Sequence, residues 1–227
     1  MNLSLENKVI IVSGGARGIG EGIVKTLLAE KAIPVVIDQR MSSIEGIKTI
    51  QADLTNPAVC ATAIEKIAKE FGSIDGLVNN AGFFSPGNIE DEADDALEQQ
   101  MAVNLYSAYH TTRALLPAML KMGKGHVFNI CSIASLNAYA QGGSYSISKF
   151  ALLGFSKNLR LELKDKGIKV TAVCPGAVYT NSWVGSGVDP NRIMESEDIA
   201  KMIFAAAHLS PQAVVEDIVM RPQKGDL

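Results

Sequence analysis

Cysteine is scarce. Cys60, Cys131 and Cys174 are odd in number and far apart in a chain of 227 residues. That argues against a disulfide framework. His110, His126 and His208 show no ligand spacing with them, so no metal site is expected. Reduced thiols of this kind suit a cytoplasmic protein. Charge of a single sign is lacking too: 20% of residues are charged, acids and bases are interspersed, and the net charge is -3. Neither a nucleic-acid patch nor a polybasic membrane anchor is expected from that pattern. No apolar run reaches membrane-spanning length, and the first six residues lack a signal-peptide layout. There is no Pro/Gly/Ser-rich linker and no internal repeat. What is plentiful is hydrophobic residues, at 47%, enough for a sizeable core in one domain spanning residues 1–227.

Those apolar residues come in short β-rich runs separated by longer helical patterns. Lys8–Ser13, Ile33–Asp38, Ile47–Ala52, Ile74–Asn79, Gly125–Cys131, Ile168–Cys174 and Glu216–Met220 read as strands. Gly18–Glu30, Pro57–Phe71, Glu92–Met122, Ser144–Lys166 and Glu197–His208 read as helices, the third bent at Pro117. Continuous apolar strands alternating with helices predict an α/β fold: a Rossmann-like, doubly wound parallel sheet of seven strands with helices on both faces. The stretch between Asp38 and Asp53 is too short for a full crossover helix and is expected to be a loop or single turn.

Two features carry chemistry. The first is Ser13-Gly14-Gly15-Ala16-Arg17-Gly18-Ile19-Gly20, between a strand and a helix. Gly14 suits a tight turn, Gly18 close backbone approach to a pyrophosphate, and Gly20 helix–sheet packing. The helix N-terminus then offers free amides to phosphate. Asp38 ends the second strand, where a carboxylate accepts from ribose hydroxyls and repels a 2′-phosphate, so NAD is expected over NADP. Arg17 and Arg40 lie nearby and would pull the other way. The second feature is Tyr145 and Lys149, four apart and on one helix face. An ammonium beside a phenol favours phenolate and makes the tyrosine proton easier to move.

With those in hand, the chain resembles the short-chain dehydrogenase/reductase family, from about Leu5 to Thr180 and more loosely beyond. Asp53-Leu54 matches the family's adenine-contacting pair, and Asn79-Asn80-Ala81-Gly82 its segment after the fourth strand. Asn104 lies in the long helix, and Ser132 stands thirteen residues before Tyr145. Pro175-Gly176 follows the sixth strand, with Val178 and Thr180 just beyond. The resemblance implies that Tyr145 is the general acid/base and that Lys149 lowers its pKa and holds the nicotinamide ribose. Ser132 would bind the substrate oxygen, Asn104 a relay water, and Thr180 the carboxamide. Gly14, Arg17, Gly18, Ile19, Gly20, Asp38, Asp53, Leu54, Asn80, Ala81, Gly82, Pro175, Gly176 and Val178 would line the dinucleotide. Turn or cap roles remain the alternatives for Ser132, Asn104 and Thr180; Ser135 and Ser144 compete with Ser132.

The chain departs from many members after Thr180, where residues 181–194 form a short, glycine-containing flap carrying Trp183, Val184 and Arg192. The implied activity is NAD(P)-dependent interconversion of an alcohol and a carbonyl on a small-molecule substrate. A dinucleotide-binding sensor with little turnover is the rival reading, and a sugar-nucleotide epimerase a remoter one. Ala108, Ala114, Leu115, Leu152, Leu153, Phe155 and Leu159 are offered for a homodimer or homotetramer contact, with some of them needed for the core.

Overall fold

The computed structural model describes residues 4–227. The seven expected strands are present: β1 Val9–Ser13, β2 Ile33–Asp38, β3 Lys48–Gln51, β4 Gly76–Asn79, β5 Gly125–Ile130, β6 Ile168–Pro175 and β7 Asp217–Met220. They form one sheet in the order β3-β2-β1-β4-β5-β6-β7. Every pairing is parallel, with Val12 opposite Val36 on one side and Val78 on the other. The helices are α1 Gly18–Ala29, α2 Pro57–Phe71, α3 Ala96–Met101, α4 Ser107–Met122, α5 Gly143–Leu163 and α6 Ser196–Ala207.

Because side chains alternate along a strand, neighbours serve opposite layers. Ile11, Val35, Leu77, Val127 and Val170 pack with Ile64 and Ile67 of α2, Leu115 and Met119 of α4 and Leu159 of α5. Ile10, Val12, Val36, Val78 and Phe128 pack with Ile23 and Leu27 of α1 and Ile199 and Ile203 of α6. Leu115, Leu152, Leu153, Leu159 and Ala108 are therefore core residues rather than a partner face.

The long third helical pattern is interrupted well before its proline. Pro117 sits inside α4, whereas Ala102–Tyr106 form a turn of π-helix between α3 and α4. One surplus residue in the helical ladder produces such a turn, and these turns concentrate at functional sites. Among the described residues no helix is long and apolar enough to cross a membrane, and no His/Cys/Asp/Glu group could hold a metal ion.

Candidate active site

Parallel strands all point their C-terminal ends the same way, and the order reverses between β1 and β4. A crevice opens there. The glycine turn follows β1. Gly14 and Gly18 have φ of 64° and 57°, in the left-handed region that favours glycine. A Cβ at Gly20 would stand 2.2 Å from the Gly14 carbonyl oxygen, so no other residue fits at this point in the first turn of α1. Asn80 fastens the turn from β4: its Nδ2 donates to the carbonyls of Ser13 (3.1 Å) and Gly14 (2.9 Å). The Ser13 hydroxyl accepts from the amides of Asn80 and Ala81. Arg17, the exposed N-cap residue of α1, does not cap it with its side chain, and Ile19 packs toward the α1–α6 core.

The Asp38 carboxylate reaches back to the same turn, accepting from the Ala16 amide at 3.1 Å and the Arg40 amide at 3.0 Å. Asp53 accepts from the amide and hydroxyl of Thr55, which hold its carboxyl below the usual range. Leu54 is 5% exposed and packs in the core, so only its backbone can meet an adenine. Val178 is likewise a core side chain, bridged to Met194. Pro175 ends β6, and the Gly176 amide donates to Met220. Thr180 leans over the glycine turn: a Cβ on Gly18 would lie 3.4 Å from its Cγ2.

α5 carries Tyr145 and Lys149. Lys149 is 5% exposed, and its Nζ donates to the Ile130 carbonyl at 2.9 Å. Burial of the ammonium pushes its pKa down. Tyr145 is half-buried, with Phe84 edge-on at 4.8 Å between ring centroids. The expected depression of its phenol is not found here. Burial pushes the phenol up and a hydrogen bond with Ser132 draws it partly back. The Lys149 ammonium stays 5.9 Å from the ring centroid. Tyr139 nearby is pushed up to about 12, by burial and then by Tyr145.

Both readings of Ser132 hold at once. Its Oγ accepts from the Ala134 amide (3.1 Å) and its amide donates to Ser135 Oγ (3.1 Å), a reciprocal cap on the short turn after β5. An accepting hydroxyl still has its own proton to give. Ser135 is spent on that cap, and Ser144 on Glu92, so neither rivals Ser132. Asn104 lies in the π-turn, fully buried. Its Oδ1 accepts from the Phe83 amide (2.9 Å), and its Nδ2 donates to the Phe83 carbonyl (3.2 Å) and Ser148 Oγ (2.9 Å). With its amide so engaged, Asn104 can hold a relay water only through its main chain. Gly82 completes the floor: a Cβ there would stand 2.8 Å from Asn104 Oδ1 and 3.5 Å from Lys149 Nζ.

These residues fit a nicotinamide dinucleotide. The turn between Gly18 and Thr180 leaves a cradle that a side chain would fill, and a buried ammonium lies at the far end. The description "short chain dehydrogenase" matches a family model over residues 8–189. The chain belongs to that family. A short-chain dehydrogenase of this form is similar to the sepiapterin reductase of Chlorobaculum tepidum, 30% identical over 239 residues, covering 96% of this chain and 98% of that one. It is 34% identical over 194 residues to a 3-alpha-(or 20-beta)-hydroxysteroid dehydrogenase of Mycobacterium tuberculosis, covering 81% and 75% of the two chains. Among solved structures, ElxO with NADP bound superposes with a TM-score of 0.87 at 26% identity, covering 94% of this chain and 96% of that one.

Two long-range contacts that shape the site have no signal in the sequence. Glu92 binds the start of α5 from fifty-two residues away. Arg192, in the flap, turns to the chain's own tail. Its guanidinium donates to the carbonyls of Gly225 (3.0 Å), Asp226 (3.0 Å) and Lys224 (3.4 Å), clasping the C-terminal tail. That tail lies over Gly176, where a Cβ would meet Pro222 at 3.2 Å and Ile133 at 3.5 Å. No spacing rule connects these pairs. A cavity of about 760 Å³ at the opposite end of the sheet, lined by Ile10, Val78, Phe128 and Ile203, is remote from this chemistry. His126 on its wall is part-buried and bonded to Thr171 Oγ1 at 2.8 Å, its pKa pushed down to about 3 chiefly by burial.

Proposed function

We propose that this chain is an NAD-linked oxidoreductase that interconverts a secondary alcohol and a carbonyl, with Tyr145 as general acid/base. The observation that carries the reading is the meeting of Ser132, Tyr145 and the buried Lys149 beside Gly82 and the glycine turn. When bound, the dinucleotide supplies the hydride chemistry. Tyr145 gives a proton to the substrate oxygen or takes one from it, and Ser132 holds that oxygen by the O–H that it otherwise directs at the Tyr145 phenol. Lys149 directs one proton to Ile130 and turns the others to ribose hydroxyls. Asn104 holds the strand–loop junction at Phe83 and, through its main chain, a water between Lys149 and solvent.

Gly14, Arg17, Gly18, Ile19, Gly20, Asn80, Ala81 and Gly82 line the pyrophosphate and nicotinamide half. Asp38, Asp53 and the Leu54 backbone take the adenosine half, and Pro175, Gly176 and Thr180 close over the carboxamide. Asp38 favours NAD, because a 2′-phosphate would meet its carboxylate. Phe83, Phe84 and Tyr139, 37%, 48% and 45% exposed, offer an apolar wall. Free, buried cysteines agree with a cytoplasmic enzyme. The test is a cofactor-reduction screen of an alcohol panel with NAD and NADP in parallel. The wild-type chain is expected to prefer NAD, and Asp38→Asn to shrink the NAD:NADP ratio of kcat/KM about tenfold. An NADP preference that Asp38→Asn leaves unchanged counts against the assignment.

We also propose a homodimer or homotetramer. Tyr106, Tyr109 and Leu120 (39%, 39% and 41% exposed) run along the α4 side. Ile147, Phe150 and Leu161 (43%, 44% and 64%) run along α5. Tyr109 and Phe155 join the two helices at 5.6 Å, and nothing lies within 4 Å of a Cβ on the exposed Gly154 between them. Light scattering should give a dimer or tetramer at micromolar concentration, and Phe150→Glu should lower the mass. A monomeric wild type sinks this assignment.

A further inference from the structure

We infer that Glu92, in the loop between β4 and α3, is a positioning residue for Tyr145; this rests on the proposed acid/base role of that tyrosine. The N-cap residue of α5 is Gly142, which has no side chain to satisfy the free amides of the first turn. Glu92 supplies what is missing. Its Oε1 and Oε2 accept from the Ser144 amide at 2.9 and 3.2 Å, and Oε2 also accepts from the Ser144 hydroxyl. Charge-assisted bonds of this kind are roughly twice as strong as neutral ones, and an anion at a helix N-terminus gains from the helix dipole.

The fit is close. Gly143 has φ of 34°, and a Cβ on it would lie 2.2 Å from Glu92 Oε1 and 2.5 Å from the Gly87 carbonyl oxygen. The Gly87 amide in turn donates to the Gln141 carbonyl at 3.0 Å. The same loop sends Phe84 against the Tyr145 ring. It therefore grips both the backbone just before Tyr145 and the ring itself.

The rest of α5 has separate anchors. Ser146 Oγ donates to the Ala134 carbonyl, Ser148 Oγ accepts from Asn104, and Lys149 donates to Ile130. Release of Glu92 should loosen the turn that aims the phenol while Lys149 and the cofactor cradle stay in place.

The test combines hydrogen exchange with steady-state kinetics on a panel substrate. In Glu92→Ala, exchange across residues 142–146 should quicken while the later turns of α5 keep their protection. The kcat should fall about 10–30-fold, as expected for loss of a charged hydrogen-bond pair, with cofactor KM within about twofold, a split that general destabilisation does not produce. Glu92→Gln keeps an acceptor for the Ser144 amide and should recover kcat to within about threefold. Should Glu92→Ala not fold, Ser144→Ala, which removes only the hydroxyl contact, is expected to lower kcat about threefold with cofactor KM unchanged; an unaltered kcat overturns the inference. Faster exchange with full kcat also overturns it, since Glu92 would then cap without positioning. So does a parallel loss of kcat and cofactor binding that Gln does not rescue. A wild type that turns over no alcohol in the panel removes the proposed function and this inference with it, whereas an active wild type with an indifferent Glu92→Ala removes the inference alone.

Discussion

Tyr145→Phe should cut turnover by about 10²–10⁴-fold, the usual contribution of a placed general acid/base, and leave cofactor binding almost untouched. The substitution removes one oxygen and keeps the ring, so the edge-on contact with Phe84 survives. Ser132 loses its partner at the phenol but keeps its cap contacts with Ala134 and Ser135. Lys149 is held by Ile130 rather than by Tyr145, so its position does not depend on the phenol. Stopped-flow turnover together with a fluorescence titration of the dinucleotide reads both quantities. Full turnover in Tyr145→Phe on a true substrate would end the acid/base assignment.

Lys149→Met should do two things that seldom go together: abolish most activity and raise stability. Lys149 is a buried ammonium that donates to the Ile130 carbonyl, with no carboxylate paired to it among the described residues, and burial depresses its pKa from 10.5. A lysine whose folded pKa lies below its unfolded value destabilises the fold at every pH below the folded value. Between the folded and unfolded values the unfolded chain binds more protons, so stability rises with pH across that window. Methionine fills nearly the same volume with no charge to desolvate, at the cost of leaving the Ile130 carbonyl without its donor. At pH 7 the melting temperature should rise by about 2–6 °C, corresponding to roughly 1–2 kcal/mol for a chain of this size. The gap to wild type should narrow as pH climbs toward 10.5, where the wild-type lysine sheds its proton in both states. Turnover and dinucleotide affinity should fall together, unlike in Tyr145→Phe. A lower melting temperature for Lys149→Met at pH 7 would show that the buried amine holds the fold together.

Much of this architecture was legible because it is written locally. Strand and helix periods, the glycine turn and the four-residue step from Tyr145 to Lys149 each depend on neighbours in the chain. Their placement in one crevice follows from the parallel sheet. What escaped notice depends on partners far apart in sequence. Glu92 meets Ser144, and Arg192 meets the tail, through loops whose paths no periodicity encodes. Leu54 and Val178 were assigned to the cofactor by position in a motif, but their side chains face the core. Leu152, Leu153 and Leu159 could not be divided between sheet and partner, since a helix between two apolar surfaces has the same spacing on both sides. Pro117 is visible in the sequence by its missing amide and lies inside α4, whereas the surplus residue of the π-turn carries no letter of its own.

That π-turn has a consequence for anyone who shortens this protein. Deleting one residue from Ala102–Tyr106 would restore an unbroken α-helical ladder. The same deletion would rotate everything before it by about 100° about the helix axis. Asn104 would then leave Phe83 and Ser148, and the loop that holds Glu92 and Phe84 would lose its footing. A chain shortened at this one place would therefore gain helical regularity and lose the contacts that hold the site together.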